Sequence, residues 1–236
     1  IANPVINAVG PNIADPRTGE ILSAHVLIYA DVLKLVERWT YTMTSAANPL
    51  ARKVPLSDEL MGRGLRYVVA HEVGHSIGLR HNHRASTAYT VAQLRDPAFT
   101  AKNGSTASIM AYGRFNYVAQ PEDKVAADSL YPRVGPYDIH AIKWSYSPLP
   151  PQTEAKTLDE WAALSHANEW LRYGGEDIPS AVDPRVQMEN IGVERVEATR
   201  LGMLNLDRAM EGLLEATETP NGRFDSMMSV YEGILS

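Results

Sequence analysis

The period of the apolar positions changes several times along the chain, and each change predicts a different element. Val5 to Tyr29 reads as two extended runs around Asp15-Pro16-Arg17-Thr18-Gly19-Glu20, where Pro and Gly favour a turn, and so predicts a β-hairpin. Within it, Ile21 to Tyr29 mixes β-branched and apolar residues with Ser23 and His25, as in a strand with one wetter face. From Asp31 to Thr44, Val32, Leu35, Val36 and Trp39 recur at helical spacing, predicting a helix capped by Asp31 that packs on the sheet. Ala46 to Ser57 carries two prolines and reads as a connection; Asp58 to Leu79 returns to helix-forming residues, with Gly78 as its stop. Arg80 to Gly135 is rich in Ser, Thr, Asn, Pro and Gly and predicts long loops and short turns, which in compact domains usually serve a site. Helix resumes over 137–146 and, after Pro148, Pro150 and Pro151, over 158–173, 193–217 and 224–235. Strands early and helices late make the class α+β.

Composition narrows the possibilities without naming a function. The 236 residues suit one domain with two subdomains, and 44% hydrophobic with 21% charged residues is ordinary for a globular chain. A net charge of -6 and no Lys/Arg run argue against a nucleic-acid partner. Apolar stretches such as Val26 to Ala30 are too short for a transmembrane segment. With no cysteine, any metal must be held by His, Asp or Glu. The chain begins at Ile1 without an initiator Met or an apolar leader, which reads as a processed or engineered fragment of a longer precursor.

The chemistry is concentrated in His71-Glu72-Val73-Gly74-His75-Ser76-Ile77-Gly78-Leu79-Arg80-His81, which holds three of the seven histidines. On a helix, residues four apart differ by roughly 40° about the axis, so His71 and His75 face one way and can share a zinc ion. Glu72 lies beside them, free to act as general base toward water in a remaining coordination position. A straight helix would carry position 81 away, so His81 joins only through a sharp bend, which Gly78 permits because it has no Cβ.

This run, HExxHxxGxxH, resembles the extended zinc signature of metzincin metallopeptidases, with His71, His75 and His81 as ligands, Glu72 as catalytic base and Zn2+ as cofactor. Ser108-Ile109-Met110-Ala111-Tyr112, 29 residues beyond His81 at Met110, resembles the methionine turn beneath the metal in that family. Tyr112 stands where two branches carry a tyrosine that reaches the zinc or the oxyanion, which makes it a catalytic candidate, although one of those branches has histidine at Ala111. DPRTGEI (15–21), FNYVAQ (115–120) and GPYDIHAIKW (135–144) are similar to a group of bacterial secreted zinc-dependent proteases. The resemblance implies a metzincin-like zincin fold: a small twisted sheet with the active-site helix above it, and a loop-rich, mainly helical C-terminal subdomain. It divides the chain into an N-terminal sheet and helix subdomain with the zinc-binding helix at 1–81, short at its start; a methionine-turn and specificity-loop subdomain at 82–150; and a helical extension at 151–236.

The activity implied is zinc-dependent endopeptidase action on a protein or peptide outside the cytoplasm, in the periplasm, at the cell surface or in the medium. Substrate is expected to lie extended along Ile21 to Tyr29, with Arg114, Phe115 and Tyr117 as candidate walls of a specificity pocket. Two rival readings stay open: a non-catalytic binding module stabilised by zinc, and a zinc hydrolase of a non-peptide bond. Glu72 weighs against the first, since a structural zinc site has no use for a base. The remaining residues have plainer readings. His83 reads as an exposed loop histidine, Asn82 as a support for the local turn, and Trp39, Trp144, Trp161 and Trp170 as core; His25, His140 and His166 have no partner pattern.

Overall fold

In the computed structural model, which describes residues 7–176, 182–218 and 224–235, the turn at 15–20 closes as the sequence predicts. Asp15 N–H donates to Glu20 O at 2.8 Å, and Gly19 takes a positive φ of 76° that a side chain would strain. The flanking strands are β1 (Ala8–Val9), β2 (Asn12–Ala14), β3 (Ile21–Ala24) and β4 (Leu27–Ile28); β1 pairs with β4 and β2 with β3, both antiparallel. One long hairpin is thus broken into two ladders rather than forming one small sheet. Pro11 has no N–H to give the ladder, and its carbonyl accepts from His25 N–H at 3.0 Å across the break. Val5 and Ile6, with which the predicted hairpin begins, lie outside the described residues.

Helix α1 (Val32–Thr44) forms where predicted, but Asp31 does not cap it through its side chain, which instead pairs with Lys34 at 2.8 Å. Nor does its apolar face lie on a broad sheet. Its principal neighbours are helices: α2 (Asp58–Ser76) on one side and, on the other, α7 (Arg195–Glu211) and α9 (Asp225–Leu235) from the far end of the chain. Two-residue strands are too small to cover a four-turn helix, so helix-on-helix packing takes their place. Ser57 caps α2, accepting from Leu60 N–H at 3.4 Å, while Asp58 and Glu59 in its first turn suit the positive end of the helix dipole. The buried stripe of α2 runs Leu60, Gly64, Tyr67, Val68, His71, so the first histidine of the motif continues a core face. A Cβ on Gly64 would lie 2.3 Å from Val36 Cγ1, which shows how closely α1 and α2 cross.

Residues 80–135 contain more helix than their composition predicts: α3 (Val91–Arg95), α4 (Pro97–Asn103) and several 3-10 turns. The polar residues that read as loop formers are caps. Thr90 and Gln93 form a reciprocal capping box, and Asp96 accepts from Ala98 N–H at 2.7 Å ahead of Pro97. Helix α5 (Pro136–Tyr146) follows as predicted, α6 (Glu154–Ala167) starts and ends earlier than predicted, and the long helix predicted over 193–217 breaks at Gly212 into α7 and α8 (Leu213–Thr217).

Among the described residues four buried clusters hold these elements together, the smallest being Ala51, Leu56 and Leu60 at the start of α2. The first joins Val32 and Val36 to Tyr67, Met110, Phe115 and Tyr131; the second gathers Tyr89, Leu94, Ile191 and Leu201; the third joins Tyr41 of α1 to Ala209, Leu213 and Val230. Polar stitches accompany them: Tyr41 Oη donates to Ala209 O at 2.8 Å, and Asn205 Nδ2 donates to the carbonyls of Tyr117 and Ala119, both at 2.9 Å. Among the described residues no helix is long and apolar enough to cross a membrane. The tight α1–α2 crossing predicts that Gly64→Val, which forces a branched side chain onto Val36, destabilises the fold by about 1–3 kcal/mol, measured as a lower urea midpoint at unchanged slope.

Candidate metal and active site

His71 and His75 lie one turn apart on α2, their ring centroids 4.9 Å apart. After Ser76 the helix ends: Leu79 N–H returns to Gly74 O at 2.9 Å, and Gly78 adopts φ 92°. That reversal brings His81 back, with ring centroids 5.2 Å from His71 and 4.6 Å from His75. Each Nδ1 has an acceptor: Ile109 O for His71 and Leu79 O for His75, both at 2.9 Å, and Glu176 Oε1 for His81. Carbonyl and carboxylate oxygens only accept, so the Nδ1 atoms carry the protons and the Nε2 lone pairs are free.

Those lone pairs converge. His75 Nε2 and His81 Nε2 lie 3.0 Å apart, and His71 Nε2 is buried without a partner. Two lone pairs at that distance repel unless a cation lies between them, so the geometry fits a metal ion held by His71, His75 and His81. Burial lowers the His71 pKa to about 3 and also lowers that of His81, keeping these two imidazoles neutral as metal ligands must be.

Beneath them is the methionine turn. Asp138 at the start of α5, 3% exposed, accepts from Ser108 Oγ at 2.5 Å and from the N–H groups of Ile109 and Gly135, both at 2.7 Å. Its burial nonetheless raises its pKa above the usual carboxylate value. The turn it fixes supplies the Ile109 carbonyl to His71 and places Met110, fully buried, against α2. A Cβ on Gly74 would fall 2.4 Å from Met110 Sδ, so the glycine between the two helical histidines admits the methionine. Asp138 lies in the similar stretch 135–144, but no spacing or cap pattern singles it out.

Glu72 is 7% exposed, and burial raises its carboxyl pKa while the nearby His75 and a hydrogen bond from Gly10 N–H oppose the shift. The strand region presses on α2 here, since a Cβ on Gly10 would lie 2.2 Å from Glu72 O. Tyr112 stacks on His71 at 5.4 Å and lies 4.4 Å from the His81 ring; burial raises its phenol pKa to about 12. The Arg114 guanidinium lies over the Tyr112 ring at 4.5 Å and over that of Trp39 at 4.4 Å, paired through two hydrogen bonds with Glu189.

Two cavities meet at Asn7, Ala8, Glu72 and Tyr112. One, of about 1320 Å³, takes in His75, His81, Glu176 and Tyr146; the other, of about 880 Å³, reaches past His71 between α1 and α7 to Trp39, Arg114 and Met203. The strand expected at the cleft changes accordingly: residues 7–12 line its wall, whereas of 21–29 only Ile21 does. Of the three candidate pocket residues, Arg114 and Tyr117 line the smaller cavity and Phe115 is buried in the core.

Other residues depart from their plainer readings. His83 is 3% exposed rather than a surface residue, 5.3 Å from the rings of both His81 and Tyr112. Asn82 reaches beyond its own turn, donating to Arg172 O and accepting from Gly174 N–H, both at 3.0 Å. Trp144 is 42% exposed and not core, whereas Trp39 and Trp170 do pack against buried clusters as expected, Trp39 also walling the smaller cavity and Trp170 lying edge-on to Tyr89 and Phe99. Sequence reasoning also missed Glu176 and Glu189, for which local spacing offers no signal.

A family model described as Met-zincin matches residues 53–236, a span that includes the histidine motif, the methionine turn and the C-terminal helices. The chain belongs to the Met-zincin family. No curated protein and no solved structure matches it. Membership accounts for the α+β zincin-like fold with its small strand region, and indicates metallopeptidase-like zinc chemistry. In this Met-zincin the methionine turn hangs on one buried carboxylate. Asp138→Ala, which leaves two N–H groups and a hydroxyl without acceptors, is expected to cost about 3 kcal/mol or more in chemical denaturation.

Proposed function

We propose that this Met-zincin is a zinc-dependent endopeptidase. The observation that carries the proposal is the convergence of three Nε2 atoms, each imidazole anchored through its Nδ1, beside a buried carboxylate that lines both cavities. His71, His75 and His81 would hold the zinc. The metal, when bound, supplies Lewis acidity that polarises a carbonyl and acidifies water.

Glu72 accepts one proton of the attacking water and passes it to the leaving amine as the C–N bond breaks; the water's second proton follows to the amine, so the products are a carboxylate and an ammonium group. Its raised pKa suits both halves of that cycle, because a more basic carboxylate takes a proton from water more readily and still releases it to an amine. Tyr112 keeps its proton, given its raised pKa, and from its place against His71 and His81 it is poised to donate a hydrogen bond to the developing oxyanion. A peptide runs extended along residues 7–12, with one side chain entering the cavity between α1 and α7. Val32, Leu35, Met43, Met203 and Leu206 on that cavity's walls favour a bulky apolar side chain.

Glu72 also separates this reading from a purely structural zinc site. Glu72→Ala is expected to retain one zinc per chain by elemental analysis while casein cleavage falls by about 100-fold or more; equal cleavage by the variant would remove Glu72 from the mechanism. Tyr112→Phe is expected to lower kcat by about 100-fold with little change in KM. Chelator should abolish wild-type cleavage, and added zinc restore it. Zinc retention with no cleavage of any protein or peptide by the wild type would instead favour a binding module.

A further inference from the structure

The three imidazoles are anchored unequally. His71 and His75 give their Nδ1 protons to backbone carbonyls, which no side-chain substitution removes, whereas His81 gives its proton to the Glu176 carboxylate. A carboxylate is the stronger acceptor. It orients the ring, holds the proton on Nδ1 and makes the opposite nitrogen a better donor to a metal.

Glu176 is brought there by a dedicated set of contacts. Asn82, directly after His81, holds the arriving segment at Arg172 O and Gly174 N–H, and Arg84 N–H donates to Gly174 O at 3.0 Å. Buried Arg84 adds ion pairs to Glu169, at 2.7 Å, and to Asp183. The approach is close enough to require glycine: a Cβ on Gly175 would lie 2.5 Å from His81 O, and one on Gly174 2.9 Å from Arg84 Cβ. We infer that Glu176 is a positioning residue for the metal, fixing His81 in its ligating orientation and setting how tightly this chain holds a divalent cation. The inference rests on the metal-binding half of the proposed function and is independent of peptide hydrolysis.

Glu176 also lies 4.0 Å from His83 Nε2, and neither ring nitrogen of buried His83 has a partner, so His81, His83 and Glu176 could alternatively form a second cation site. Zinc affinity and stoichiometry decide between these. Competition against a chromophoric chelator, on the full chain at fixed pH and salt, is expected to show one zinc per wild-type chain and an affinity about 10–100-fold weaker in Glu176→Ala. Glu176→Gln, whose amide oxygen still accepts from Nδ1–H, should fall in between, and it carries the test if the alanine variant does not fold. Thermal unfolding of the zinc-free proteins should give the same Tm for wild type and Glu176→Gln, separating a metal effect from a fold effect.

Equal zinc affinity in wild type and both variants would overturn the inference while leaving the proposed function intact. Two zinc ions per wild-type chain, reduced to one by Glu176→Ala and by His83→Ala, would overturn it by making Glu176 a ligand in its own right. A wild-type chain that binds no zinc would overturn both the inference and the proposed function. Tight zinc binding without proteolysis would cost only the peptidase reading.

Discussion

A helix can aim two imidazoles at one point but not a third six residues further on. Continued as helix, position 81 would sit about 9 Å along the axis from His75 and well round to another side. The site therefore depends on ending α2 immediately after its second histidine, which Leu79 N–H does by returning to Gly74 O while Gly78 sits at φ 92°. The same reversal supplies the Leu79 carbonyl that orients His75. One turn thus stops the helix, returns the third ligand and fixes the tautomer of the second.

That arrangement explains why part of the site was legible in the sequence and part was not. His71, Glu72, His75, Gly78 and His81 lie within a single helix and its cap, so their spacing carries the geometry. Met110 was legible through the resemblance alone. Its physical partner is Gly74, whose missing side chain leaves room for the sulfur, and spacing says nothing of that contact. The groups holding the site in place come from far along the chain: Asp138 is 30 residues from Ser108, Glu176 is 95 from His81, and Glu189 is 75 from Arg114. No period or cap signal reports such pairs, because each is chosen by tertiary packing.

Element by element, the differences have similar causes. Propensity located α1 but not what covers it: two short ladders offer little apolar area, and α7 and α9 return to bury Tyr41 instead. The Ser, Thr, Asn and Asp residues of 80–135 predict loop because the same side chains that terminate helices also begin them, and here they begin short ones. His83 was misread for a related reason. A histidine just past a complete ligand set looks expendable, yet the segment that delivers Glu176 folds over it.

Charge links the far contacts to the chemistry. Burial keeps His71 and His81 neutral, while the Glu176 carboxylate, its pKa lowered chiefly by its hydrogen bond with His81, brings negative charge to the side of the site where a cation would bind. Arg114, a few ångströms beyond Tyr112, would oppose that charge if it were unpaired, but Glu189 binds it through two hydrogen bonds at 2.7 and 2.5 Å. Both residues adopt positive φ, 55° and 60°, a conformation that costs non-glycine residues free energy and is held here by the pairing together with the Glu189 N–H to Tyr112 O bond. The C-terminal segment is therefore part of the site's electrostatics: it contributes the carboxylate that orients the third ligand and the one that silences the nearby arginine.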